Sequence, residues 1–300
     1  MAQAASARDE ARRVRLFGVM KSTFAQTRAL VYADAARAMM RDRLIDLEGV
    51  RNFRDFGGWD TPRGRLPRGR LWRSAAFAEA TDADIARIDA LGIAAICDLR
   101  RPEERRMHPN RWPVNAAGAV VRVMESNDGG RDEPPHIAFL RNGDLSPAAV
   151  RGFMCRLYEE IPFDARYVAL FRDFFAHLIE DGGAGLVHCA AGKDRTGILC
   201  ALTLMALDVG EDDVFADYEF TNTAVDLTGR LPEIRQRFED QLGFAMPLES
   251  LTPFLGVDVA YLHAALASIR ARAASVDGYL TQTLGVDGAA RARLAERMTG

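Results

Sequence analysis

Lysine is almost missing from this chain of 300 residues. Of its 39 basic residues, two are lysines, Lys21 and Lys193, and the rest are arginines. Cysteine is scarce as well. The four cysteines, Cys97, Cys155, Cys189 and Cys200, match neither metal-ligand spacing nor a disulfide framework. The cysteines therefore give no reason to expect a metal, and no cofactor is expected. No apolar run approaches the ~18 residues needed to span a bilayer. Met1–Ser6 is followed by charges rather than a long apolar core, so no secretory signal is read there. The net charge is −3, and no basic stripe is interleaved with aromatics, which gives no reason to invoke nucleic acid. No internal repeat is visible. What remains is a chain that is 48% hydrophobic, enough for one large domain or two small ones.

The informative stretch is His188-Cys189-Ala190-Ala191-Gly192-Lys193-Asp194-Arg195-Thr196-Gly197. A short apolar run, Gly183 to Val187, precedes it and reads as a buried strand. An apolar, proline-free run, Gly197 to Leu207, follows and reads as a buried helix ending near Asp208-Val209-Gly210. The loop thus sits at a helix N-terminus, where unpaired N–H groups and the positive end of the helix dipole bind anions. Successive N–H groups of Ala190, Ala191, Gly192, Lys193, Asp194 and Arg195 form a nest for phosphate oxygens. Gly192 lets the backbone turn, and Arg195 offers two parallel donors to two oxygens.

Cys189 is the candidate nucleophile. Thiols at helix N-termini and beside cations ionise far more readily than free ones. Attack on phosphorus gives a phosphocysteine that water then hydrolyses. Thr196 is placed to donate its hydroxyl to the departing thiolate, and His188 to orient the loop rather than shuttle protons. Cys97 and Cys200, inside apolar runs, read as packed core residues.

These residues resemble the cysteine-dependent protein tyrosine phosphatase superfamily, and within it the bacterial tyrosine and dual-specificity phosphatases. Flanking blocks extend the likeness over residues 46–300: Asn52-Phe53-Arg54-Asp55-Phe56-Gly57-Gly58, Gly69 to Ala75, Cys97-Asp98-Leu99-Arg100 with Glu103 or Glu104 after it, Ala216-Asp217-Tyr218 with Asn222, Leu255-Gly256-Val257 with Tyr261, and Gly278-Tyr279-Leu280. The resemblance implies an α/β fold with a central, mostly parallel sheet flanked by helices. It also implies metal-free hydrolysis of phosphotyrosine, with phosphoserine, phosphothreonine or phosphoinositides as further substrates. Arg54 and Arg73, in family-like blocks, are candidates for shaping the pocket rim. The lone loop lysine, Lys193, fits a compact point charge at an anion site.

The general acid is open between two aspartates. Asp128 follows a plausible strand, Ala119 to Val123, where the superfamily carries its acid, but without the usual surrounding motif. Asp194 lies inside the phosphate loop and faces the same pocket. Asp98 reads instead as an arginine partner at the sheet edge.

Residues 1–45 carry an excess of positive charge and a helical stripe through Val14, Phe17, Met20, Phe24, Val31 and Ala35. They are expected to form an N-terminal helical extension. Residues 46–300 are expected to be the phosphatase domain. Thr81 caps a helix through Ile85, Ile88 and Leu91 that Gly92 ends, and Ile93 to Cys97 follows as a strand. The Gly, Pro and Asn of residues 124–146 mark a long loop, and 124–160 is a lid-like insertion. Helices are expected over 147–160, 165–179, 211–223, 231–242, 261–274 and 289–298.

A phosphoprotein or a phospholipid headgroup is the expected partner. Phosphoinositide hydrolysis is the alternative activity, favoured by Lys193 and the basic extension and disfavoured by Asp194. A non-catalytic phosphate-binding module comes behind both. The Lys-Asp-Arg-Thr-Gly ending argues against arsenate reduction or sulfur transfer. A catalytic thiol that must stay reduced suggests the cytoplasm, with export by a route that needs no signal left open.

Overall fold

The computed structural model describes residues 40–112, 119–124, 135–242 and 247–299. The chain divides into two units, Met1–Asp42 and Arg43–Gly300. The expected N-terminal helices lie outside the described residues, as does Asp128.

Two features of the sequence make the sheet. Ile93–Asp98 and Ala184–His188 are short, nearly continuous apolar runs, the signature of parallel strands covered on both faces. They become the fifth and seventh of seven strands. The others are β1 (Arg54–Asp55), β2 (Asp60–Thr61), β3 (Gly64–Arg65), β4 (Leu71–Ser74) and β6 (Val120–Val123). The main sheet runs β1-β4-β7-β5-β6, while β2 and β3 pair by themselves. β4, β7, β5 and β6 are parallel, and β1 joins β4 antiparallel. This is the expected central, mostly parallel sheet. β1 to β4 were not foreseen: two-residue strands are too short to show a period, and β4 carries Arg73 in its centre.

Thirteen α-helices are assigned among the described residues. They are α1 (Asp82–Asp89), α2 (Pro102–Met107), α3 (Pro135–Asn142), α4 (Pro147–Glu160), α5 (Ala165–Glu180), α6 (Asp194–Ala206), α7 (Glu211–Glu219), α8 (Thr221–Ala224), α9 (Leu227–Leu242), α10 (Leu248–Leu255), α11 (Val259–Ala273), α12 (Val276–Gln282) and α13 (Gly288–Thr299). α5 packs on β5, β6 and β7, and α6 on β7 and β4. α6 is buried along nearly its whole length, as its unbroken apolar sequence requires.

One expectation is corrected. Within the stretch read as a long loop, residues 135–142 are helical. Apolar packing decides this: Phe139 stacks on Phe153 of α4 at 4.2 Å, and Leu140 is buried. α4 itself buries Val150, Met154 and Tyr158 and packs on α11 and α10. Of the lid-like insertion, then, the part from Pro147 is a packed helix. Among the described residues no single helix is long and apolar enough to cross a membrane.

The register lines up the C-terminal ends of three strands. Ser74 of β4 stands beside His188 of β7, and His188 beside Asp98 of β5. In open parallel sheets ligands bind at this end of the strands. α1 is capped at its start and tied to the segment before β1. Thr81 caps it through Asp84 N as expected, and the Asp84 carboxylate accepts from the N–H groups of Glu48 and Gly49, each at 2.8 Å, and of Thr81 at 3.0 Å. Asp84→Ala leaves these three part-buried donors without their acceptor. We expect a loss of about 3 kcal/mol of unfolding free energy, read by urea denaturation; Asp82→Ala, on the exposed side of the same turn, is the control.

Candidate active site

β7 ends at His188 and α6 begins at Asp194, so Cys189 to Lys193 form the connecting loop. Its carbonyls are turned into the protein. Ala76 N–H donates to Ala190 O at 3.1 Å. Gly192 O accepts from Asn52 Nδ2 at 2.8 Å and from Arg73 Nη2 at 3.1 Å. Gly192 has φ +66°, and a Cβ there would stand 2.4 Å from Ser74 O, so only glycine fits. The backbone N–H groups of Ala190, Ala191, Gly192, Lys193, Asp194 and Arg195 have no acceptor among the described residues. Six such donors stand together at the mouth of a buried helix, an arrangement suited to an anion. Cys189 is buried at the loop's start, with 2% of its surface exposed.

Arg195 is clamped. Its Nη1 donates to Glu104 Oε2 at 2.6 Å and to Leu99 O at 3.0 Å, and its Nη2 to Glu104 Oε1 at 2.8 Å. A guanidinium has five N–H donors in a fixed plane. The pair to Glu104 occupies the far edge, which leaves Nε–H and one Nη2–H side by side on the near edge. That edge has the spacing of two phosphate oxygens. Burial works to raise the Glu104 carboxyl, but the two Arg195 hydrogen bonds and the Arg195 charge outweigh it and hold the group at about 2. Of the two glutamates read as equivalent in the sequence, Glu104 is the one at the site.

Arg54 and Arg73 are behind the loop, not at its rim. Both are fully buried. Asp217 of α7 binds them both: Oδ1 accepts from Arg54 Nε at 3.2 Å, and Oδ2 from Arg73 Nη1. Arg54 also donates to Asp217 O, Asn52 Oδ1 and Thr221 Oγ1. Burial, together with the neighbouring Arg73, lowers Arg54 to about 10, still fully cationic at neutral pH. Two arginines on one carboxylate leave a net positive charge under the loop.

The remaining predicted residues divide. His188 is wholly buried, its Nε2 beside Asn110 Nδ2 at 3.3 Å and Asp98 Oδ2 at 3.6 Å, its ring edge-on to Phe77. Burial lowers its basicity, which keeps the imidazole neutral and suits an orienting role. Asp98 pairs with Arg100 at 2.8 Å, as read. Lys193 departs from expectation. Its ammonium is bound to Phe254 O at 2.7 Å and lies 3.5 Å from Asp194 Oδ1, with the residue buried, so its charge is engaged by the protein. Thr196 Oγ1 is buried and has no hydrogen-bond partner among the described residues. Asp194 accepts from Tyr158 Oη at 2.8 Å. Cys97 and Cys200 are buried thiols, and burial pushes Cys200 up to about 12. A cleft of about 240 Å³ opens beside the loop, lined by Arg51, Ala76, Glu79, Arg100, Glu104 and Ala190 among others. Among the described residues no group of three His, Cys, Asp or Glu is placed to hold a metal.

Sequence reasoning missed Asn52 as an anchor of the loop, and Tyr158 and Asn110 altogether. Asn52 has a signal, being the one non-glycine residue of its block with φ above zero, but that is legible only in the fold. Tyr158 has none; it is one aromatic on an amphipathic helix.

A sequence profile of the tyrosine phosphatase family matches residues 45–300. A protein of Cupriavidus necator that carries a tyrosine-protein phosphatase name is 32% identical over 257 residues, 85% of this chain and 89% of that protein. The triple specificity protein phosphatase PtpB of Mycobacterium tuberculosis is 34% identical over 261 residues, 78% of this chain and 92% of that protein.

Two outcomes follow from the geometry. Asp217→Asn leaves two buried arginines short of a charge, and we expect about 3–5 kcal/mol of destabilisation by denaturant titration. Glu104 contributes stability because its carboxyl is held down to about 2 in the fold. That contribution is complete above the ordinary glutamate value, roughly pH 4.5, and fades as pH falls toward 2. Wild type therefore loses stability across that acid window, and Glu104→Gln shows a flatter profile there together with at least tenfold weaker inorganic phosphate binding by calorimetry.

Proposed function

The chain belongs to the tyrosine phosphatase family, and from that premise we propose that it hydrolyses phosphotyrosine in proteins through a phosphocysteine on Cys189, without a metal. The observation that carries the reading is the Cys189–Arg195 loop itself: a buried cysteine, six unpaired N–H groups and an arginine whose near edge is kept open by Glu104.

The nest and Arg195 bind the three non-bridging oxygens, and hold them more tightly as charge moves onto them in the transition state. The Cys189 thiolate attacks phosphorus and the bond to the tyrosine oxygen breaks. That oxygen takes a proton from a carboxylic acid, for which we favour Asp194, with Asp128 the other candidate. Water then attacks the phosphocysteine, giving its proton to the same carboxylate. The sulfur leaves as thiolate, met by the Thr196 hydroxyl, and inorganic phosphate departs. Asp217, Arg54, Arg73 and Asn52 take no part in bond changes; they keep the loop in shape. A thiol nucleophile needs reducing surroundings, which fits the cytoplasm.

Phosphoserine, phosphothreonine and phosphoinositides are the further substrates to weigh, since one relative is named for triple specificity. The case for phosphoinositides draws on Lys193 and the basic extension; the Lys193 ammonium is tied to Phe254 O and Asp194, and the extension lies outside the described residues, so phosphotyrosine is placed first.

Phosphate release from matched phosphotyrosine, phosphothreonine and phosphoinositide substrates, with chelator present, tests the reading. Wild type should turn over phosphotyrosine fastest with chelator, and Cys189→Ser should lose at least 10³-fold in kcat, the order expected for removing a nucleophile, while still binding inorganic phosphate. Full turnover by Cys189→Ser, or activity lost to chelator, contradicts it.

A further inference from the structure

Asp194 does not stand alone at the loop. Its Oδ1 accepts from Tyr158 Oη at 2.8 Å, and Tyr158 Oη in turn accepts from Tyr218 Oη at 2.8 Å. Both tyrosines are buried, one from α4 and the other from α7. The direction of this chain is fixed by chemistry. A carboxylate only accepts, so Tyr158 must donate its one proton to Asp194. Its oxygen is then free to receive the proton of Tyr218. Burial and the Asp194 charge push Tyr158 well above the usual tyrosine value, and burial and the same charge do so for Tyr218, so both remain donors across the working range.

The rings are as tightly specified as the hydroxyls. Tyr158 lies edge-on to Tyr218 at 6.2 Å and against Tyr261 at 5.5 Å. Tyr261 gives its own hydroxyl to Pro253 O at 2.8 Å, and so does not compete for Asp194. Gly197 makes the approach of Tyr218 feasible: a Cβ there would come within 2.9 Å of the Tyr218 ring. The glycine that closes the loop sequence therefore admits the second tyrosine of the chain. Asp194 Oδ2 has no partner among the described residues.

We infer that Tyr158, backed by Tyr218, is a positioning residue for the proton-transferring carboxylate: it pins one oxygen of Asp194 so that the other serves the leaving group and the attacking water. The inference rests on the reading of Asp194 as the acid. A side chain held by one ordered donor keeps its reacting atom in range. Without it, Asp194 turns toward Lys193, its other neighbour at 3.5 Å, and productive geometry becomes rare.

The test uses the full chain and a cycle of Tyr158→Phe, Asp194→Asn and the double variant. Each is assayed on a phosphotyrosine peptide and on p-nitrophenyl phosphate, whose leaving group needs less protonation. Tyr158→Phe should lower kcat on the peptide about tenfold, with KM within twofold and a clearly smaller loss on p-nitrophenyl phosphate. In the Asp194→Asn background the same change should cost less than twofold. Tyr218→Phe should give a weaker loss of the same pattern, and it carries the test if Tyr158→Phe does not fold. An equal loss on both substrates, or in both backgrounds, assigns Tyr158 to packing and overturns the inference. So does unchanged kcat in Tyr158→Phe where Asp194→Asn is impaired. Full peptide turnover by Asp194→Asn removes the premise instead, and with it the inference.

Discussion

The carbonyl oxygen of Gly192 accepts two buried donors, from Asn52 and Arg73, and the shape of the site depends on that point. Held down there, the loop must present its N–H groups outward, because a peptide unit cannot turn both its polar ends the same way. Arg73 can reach the carbonyl only because Asp217 orients it, and Asp217 can sit unsolvated only because Arg54 shares it. One carbonyl is thus connected to β1, β4 and α7. Buried ion pairs are poor sources of net stability, since desolvation offsets most of the attraction. Here they have a different use: they fix a backbone conformation that the loop's own sequence could not hold against six unpaired donors.

Arginine dominates this arrangement for a geometric reason. Four arginines around the site each meet two or more acceptors at once: Arg54 with Asp217, Asn52 and Thr221, Arg73 with Asp217 and Gly192, Arg100 with Asp98 and His108, Arg195 with Glu104 and Leu99. A planar fork does this and an ammonium does not. The near absence of lysine from the chain agrees with the demand for such forks. Lys193 is the exception, and it is engaged by a helix-end carbonyl and a neighbouring carboxylate, where a compact charge suffices.

Much of this was legible beforehand. The strand, loop and helix around Cys189 could be read because apolar runs of the right length bound a glycine, a cysteine and an arginine in fixed register. α1 could be read to its cap because Thr81 and Asp84 act locally. What could not be read depends on distance. Nothing in the sequence says that Asp217 meets Arg54 across 163 positions, or that Tyr158 meets Asp194 across 36. α3 reads as loop because its proline and neighbouring glycines outweigh a short apolar run, Ile137 to Leu140, and the Phe139 contact that favours the helix comes from Phe153, outside the segment. Arg54 and Arg73 are candidates for the rim by their place in family-like blocks, in a residue type that is usually solvated; the fold buries them by supplying Asp217, a carboxylate that the linear pattern gives no reason to bring near.

The central claim is a covalent one: phosphorus passes to the sulfur of Cys189. Acid quenching during turnover of a phosphotyrosine peptide, followed by mass analysis of the proteolysed protein, observes it directly. The account predicts that the peptide bearing Cys189 gains the mass of one phosphoryl group, and that no such adduct forms on Cys97, Cys155 or Cys200. Steady turnover with no phosphoryl group on Cys189 at any quench time, or with the group on another residue, would contradict it.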